Sequence, residues 1–176
     1  MSIHIFVLNG SPRSGKDTFC ALMEKYGEVE HYSYVDFTRY MLSEVNIDYH
    51  KKTDKDRQLL ETINNALEAY DDIPMKDICE SVIDTIGHYI DNKDLFIFVD
   101  IRKPDNIKRF LEKFPEAKTV YIDDGKELSN ATESDHSVKD YDYDYYIVNN
   151  GSLDDLQKKV GSFVHEINSK GAEEMG

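Results

Sequence analysis

The chain of 176 residues is poor in cysteine, in positive charge and in long apolar runs. Cys20 and Cys79 are too few and too far apart for a disulfide framework or a cysteine-rich metal site. Each falls on the apolar side of a predicted helix, so buried free thiols in a reducing cytoplasm are expected. No apolar run approaches the length of a membrane span, and the N-terminal residues lack the basic, apolar and cleavage-site order of a signal peptide. Lysine and arginine number 21 against 35 acidic residues, a formal charge of −14. That balance argues against a nucleic-acid or membrane-surface partner, since both are polyanions. Only five arginines occur, and four of them (Arg13, Arg39, Arg57 and Arg102) fall in segments predicted to surround one phosphate pocket. Arg109, beside Lys108 along a predicted helix, is expected to face solvent. With 40% apolar residues and no repeat, low-complexity stretch or linker, residues 1–170 are expected to form one domain, followed by a flexible tail at 171–176.

What is present is concentrated near the N-terminus. The apolar run Ile3-His4-Ile5-Phe6-Val7-Leu8 leads into Gly10-Ser11-Pro12-Arg13-Ser14-Gly15-Lys16-Asp17-Thr18. Gly, four residues, then Gly-Lys is the spacing of a phosphate-binding loop, with Asp17 where Ser or Thr usually stands. The glycines let backbone amides curl round an anion, Lys16 reaches the terminal phosphates, and the following helix adds its dipole. Asp17 either helps hold Mg²⁺, directly or through water, or simply occupies the favourable first turn of a helix.

Leu95-Phe96-Ile97-Phe98-Val99-Asp100 reads as a buried parallel strand. A carboxylate at its C-terminal end sits where open α/β sheets bind ligands, close to the metal of the first loop. Arg102 and Lys103 follow, and a guanidinium there can grip one phosphate in two directions. Between these motifs lie a more polar strand over Val29–Tyr34, a helix opening at Asp36 with Arg39 on it, and two helical stripes. The first stripe is Leu59, Leu60, Ile63, Leu67 and Tyr70; the second is Ile78, Val82, Ile83, Ile86, Tyr89 and Ile90. They fit an inserted acceptor-binding region over about 36–92, with Arg57 near its middle. A fourth strand over 117–122 precedes a polar, lid-like loop at about 123–140 that carries Lys126, His136 and Lys139 but no arginine. A fifth strand, 145–148, leads into the turn Asn149-Asn150-Gly151 and a last helix capped by Ser152.

The spelling Arg-Ser-Gly-Lys-Asp resembles the loop of animal-type phosphomevalonate kinases, and with Thr18 that of phage deoxynucleoside monophosphate kinases. Asp36 and Arg39 are similar in spacing to an adenylate kinase segment whose arginine grips the acceptor phosphate. The Asp-x-Arg at 100–102 resembles the strand end of phosphomevalonate and thymidylate kinases. Thr132-Glu133-Ser134 and residues 141–151 resemble the phosphomevalonate kinase ending. The resemblance implies a three-layer P-loop kinase fold of the nucleoside monophosphate kinase type, a five-stranded parallel sheet flanked by helices. It implies transfer of a phosphoryl group from ATP, with Mg²⁺, to a small phosphorylated acceptor in a monomer or homodimer. The residues from Gly10 to Thr18, with Asn150 and Gly151 at the adenine, would bind ATP. Asp36, Arg39, Arg57, Arg102 and Lys103 would bind the acceptor. Asp17 and Asp100 would organise the metal, and Lys16, Arg102 and Asp100 would carry the catalysis.

Overall fold

The computed structural model describes residues 1–11, 13–47, 53–125 and 138–174. Pro12 and the loop 126–137, with Lys126 and His136, lie outside those residues. Five strands, β1 (Ile3–Gly10), β2 (Glu28–Ser33), β3 (Leu95–Asp100), β4 (Lys118–Asp123) and β5 (Tyr145–Val148), form one sheet in the order β2-β3-β1-β4-β5. Every neighbouring pair is parallel. The central strands β1 and β3 are covered on both faces, which is why their sequences are near-continuous apolar runs rather than alternating ones.

Helices flank the sheet or extend from it: α1 (Lys16–Met23), α2 (Asp36–Glu44), α3 (Asp54–Asp71), α4 (Ile73–His88), α5 (Pro104–Lys113) and α6 (Leu153–Glu174). On one face, Phe19 and Met23 of α1 and Val160, Phe163 and Ile167 of α6 pack on Phe6, Leu8, Phe98 and Ile122. On the other, Met75, Ile78 and Val82 of α4 and Ile107 and Phe110 of α5 pack on Ile5, Val7, Ile97 and Val99. Alternating residues of one strand thus feed two separate cores. The start of α6 is fixed by a capping box, Asp155 N donating to Ser152 Oγ and Ser152 N to Asp155 Oδ2.

Several apolar residues of the expected stripes lie outside the core. Ile90 is 94% exposed and Tyr70 85%, while Leu59, Ile83 and Leu153 are also exposed. For Leu59 and Tyr70 the cause is position: α3 lies beyond the sheet against α2 and α4, and its buried residue is polar, Asn64. Asp36 is likewise the first residue of α2 rather than its cap, and its carboxylate accepts from Ser33 N at 2.6 Å. Among the described residues, no helix is long and apolar enough to cross a membrane.

Both cysteines are buried free thiols. Phe19 is fully buried edge-on to both Phe98 and Phe163. Phe19→Ala should therefore cost about 3–5 kcal/mol through lost burial and the cavity left behind. Urea unfolding would show it as a lower midpoint, and a drop below about 1 kcal/mol would mean that this core collapses to fill the hole.

Candidate functional site

The Gly10–Lys16 loop is held from two sides. Gly10 still pairs with Ile122 in the β1–β4 ladder, and a Cβ on it would stand 2.4 Å from the Ile122 carbonyl oxygen. Gly15 has φ +95°, in the left-handed region, and a Cβ there would meet Asn149 Nδ2 at 2.3 Å. Glycine is favoured at Gly10 by the close backbone approach and at Gly15 by the left-handed φ. Asn149 itself braces the loop: its Nδ2 donates to Ser14 O at 2.7 Å, and its backbone N–H donates to Asp123 O. Arg13 is exposed at φ +66° in the bend. The helix then starts at Lys16, with Asp17 and Thr18 exposed in its first turn.

Lys16 folds back over the loop, donating to Gly10 O at 3.1 Å and Ser11 O at 3.5 Å. Burial pulls its pKa down, while the Asp100 and Asp17 carboxylates push it up and Arg102 pushes it down. Those influences place Lys16, Asp17, Asp100 and Arg102 in one electrostatic neighbourhood, as the two sequence motifs require. Arg102 is exposed and has partners within the chain.

Asp100 has a neighbour that no sequence pattern announced. His31 Nε2, on β2, lies 3.2 Å from Asp100 Oδ1, and the Cys20 thiol of α1 acts on the same imidazole. The Asp100 contact raises the His31 pKa to about 10, with Cys20 adding to the rise and burial opposing it. The contact is an ion pair off the in-line direction, so the buried Asp100 Oδ1 keeps acceptor capacity. The Asp100 and Asp17 carboxylates are an all-oxygen donor set, which suits a hard cation such as Mg²⁺. Among the described residues no group of three or more acidic, histidine or cysteine side chains is arranged to hold a metal alone. A site completed by phosphate oxygens and water is the Mg²⁺ pattern.

The expected acceptor residues are partly engaged with one another. Arg39 Nη1 donates to Asp36 Oδ1 at 2.9 Å, within one turn of α2. Lys103 reaches across to α3, donating to Asn65 Oδ1 and Glu68 Oε2. Arg57 is exposed in the first turn of α3, behind the capping box of Thr53 and Asp56. Asn150 is exposed beside Gly125, and Gly151 packs against Asp155 ahead of α6. Arg109 is partly exposed, as its neighbour Lys108 suggested, but it is also held by partners. Its guanidinium pairs with Asp72, lies 3.6 Å from Glu68 and donates to Asn106 Oδ1 at 3.1 Å. The reason is Asp72, whose left-handed backbone (φ +53°) turns the α3–α4 corner and aims its carboxylate at α5.

No protein-family model and no curated protein matches the chain. Solved structures do. The protein TT1252 from Thermus thermophilus superposes with a TM-score of 0.54 at 16% identity, covering 94% of this chain and 98% of that one. An unliganded sugar kinase from Janibacter gives 0.51 at 12% identity, covering 94% and 95%. At these identities the likeness shows the fold. The chain has the three-layer P-loop kinase fold, a five-stranded parallel sheet flanked by helices.

The His31–Asp100 pair has a pH signature. A histidine whose folded pKa is raised from 6.5 to about 10 contributes stability fully present below pH 6.5 and lost as pH rises through about 10. Urea midpoints of the wild type should therefore fall between pH 7 and pH 10.5 by more than those of His31→Gln. Parallel curves for the two proteins would show that the imidazolium contact adds nothing.

Proposed function

We propose that this protein is an ATP-dependent phosphotransferase that moves the γ-phosphoryl group to a small phosphorylated acceptor, with nucleoside and deoxynucleoside monophosphates the favoured class. The observation that carries the reading is the convergence on Lys16. The amine is half-buried against the phosphate-loop carbonyls and lies in the field of Asp100 and Arg102, from the far end of β3 and just beyond it. Two motifs with independent chemistry thus meet at one charge.

In this reading the Gly10–Thr18 amides and Lys16 cradle the donor phosphates, and Lys16 neutralises charge spreading over the equatorial oxygens. Its contacts with Gly10 O and Ser11 O are exchanged for phosphate oxygens. Arg102 bridges the transferred group and the acceptor, with Arg39 and Arg57 on the acceptor side. Asp36 fixes the Arg39 fork through Nη1 and leaves its other donors for a phosphate. Asp17 and Asp100 would hold Mg²⁺, which would offset the negative charge of the donor phosphates. Catalysis is then positioning and electrostatics rather than covalent chemistry. The acceptor class rests on the Gly-Lys-Asp-Thr spelling and the Asp36–Arg39 pair, both of which resemble monophosphate kinases.

A coupled assay over nucleoside and deoxynucleoside monophosphates, with phosphomevalonate included, tests the acceptor. Turnover with phosphomevalonate alone would reassign it, and tight ATP binding without any turnover would mark a nucleotide-binding regulatory protein. Lys16→Ala should lower kcat by about 10²–10³-fold with an unchanged melting temperature. A near-wild-type rate would remove the donor-site assignment. Arg102→Lys should lower kcat/KM by at least about tenfold, because a point charge cannot reproduce the planar fork. Unaltered kinetics would take Arg102 out of the site.

A further inference from the structure

The β1–β3 ladder ends at Val7↔Val99, whereas the β1–β4 ladder continues to Gly10↔Ile122. Beyond Val7 the two central strands part, and the cleft between their tips separates the phosphate loop from Asp100 and Arg102. One side chain spans it. Asn9, 3% exposed, donates from Nδ2 to Ile101 O at 2.7 Å, the carbonyl between those two residues. The same amide faces the Tyr143 hydroxyl, which donates to Val138 O at 2.9 Å. Burial pushes the Tyr143 pKa up, so the hydroxyl stays protonated and remains that donor. Tyr143 in turn packs on Tyr121, whose hydroxyl lies 3.4 Å from Ser11 Oγ in the loop.

We propose that Asn9 is a positioning residue that sets the separation between the phosphate loop and the Asp100–Arg102 tip, continuing by side chain the tie that the backbones abandon. Residues from both sides of this cleft must meet one MgATP, a requirement that rests on the phosphotransfer reading above. The loop follows Asn9 directly, and Ile101 joins Asp100, the last residue of β3, to Arg102 just beyond it. A change in this one bond therefore shifts the donor cradle relative to the metal carboxylate. Asn106, His4 and the Arg109 cluster offer no comparable bridge, since their contacts lie off the cleft.

The test is the coupling between metal and nucleotide, which needs no turnover. Calorimetry gives the ATP dissociation constant of the wild type with Mg²⁺ and with chelator, and the ratio of the two is the coupling. In Asn9→Ala that ratio should fall about ten- to hundredfold, the usual effect of removing a group that orients a metal ligand. The metal-free affinity should stay within about threefold, because the loop amides and Lys16 are untouched. Should Asn9→Ala not fold, Asn9→Ser, too short to reach Ile101 O, carries the same expectation. An unchanged ratio would overturn the proposal, and so would equal weakening with and without metal, which marks a merely structural side chain. A wild-type ratio near one would overturn it by removing the metal from Asp100. Loss of coupling in Asn9→Ala alongside a wild type inactive on every acceptor would support Asn9 while sinking the phosphotransfer reading. Absence of ATP binding in the wild type would sink both.

Discussion

A half-buried ammonium group is unfavourable unless something nearby offsets its lost hydration, and the architecture around Lys16 supplies that offset. Its amine has two loop carbonyls for acceptors and two carboxylates for charge, one from its own helix and one from β3. These partners can meet only because β1 and β3 are adjacent and parallel, with their C-terminal ends side by side. The sheet order, the glycine loop and the position of Asp100 are therefore parts of one electrostatic arrangement. Removing the parallel pairing would strand the lysine.

Around that centre the protein uses two kinds of cohesion. The sheet and helices α1, α4, α5 and α6 are joined by interlocking aromatic and aliphatic side chains. The site is joined by single polar links: Asn149 to Ser14, His31 to Asp100, and Thr38 to the buried Asn64 at 2.8 Å. Buried polar links have strict geometric demands, so they fix orientation more narrowly than apolar packing does.

What could be read in the chain was what is local. The runs 3–8 and 95–100 announce buried parallel strands by composition, and the spacing from Gly10 to Lys16 announces a phosphate loop by backbone demands that only glycine meets. Asp100 was legible because it terminates such a run. His31, Asn149 and Asn9 were not, since their partners lie far along the chain, 135 residues away for Asn149 and 92 for Asn9. An isolated Asn after a strand reads equally well as a turn residue. Periodicity also missed the partners of Arg109, because a helix pattern shows which way a residue points but not that another element's carboxylate waits there. Ile90 and Tyr70 failed for the opposite reason, being in phase with a stripe but beyond the surface that covers it.

The setting of α3 has an evolutionary implication. Its eighteen residues touch the remainder chiefly through α2 and α4, and its one buried side chain is an asparagine. Sequence drift along most of this helix leaves both apolar layers intact. The α3 side of the molecule can accordingly diversify while the layers packed on the sheet stay constrained, so the scaffold accepts change there without refolding.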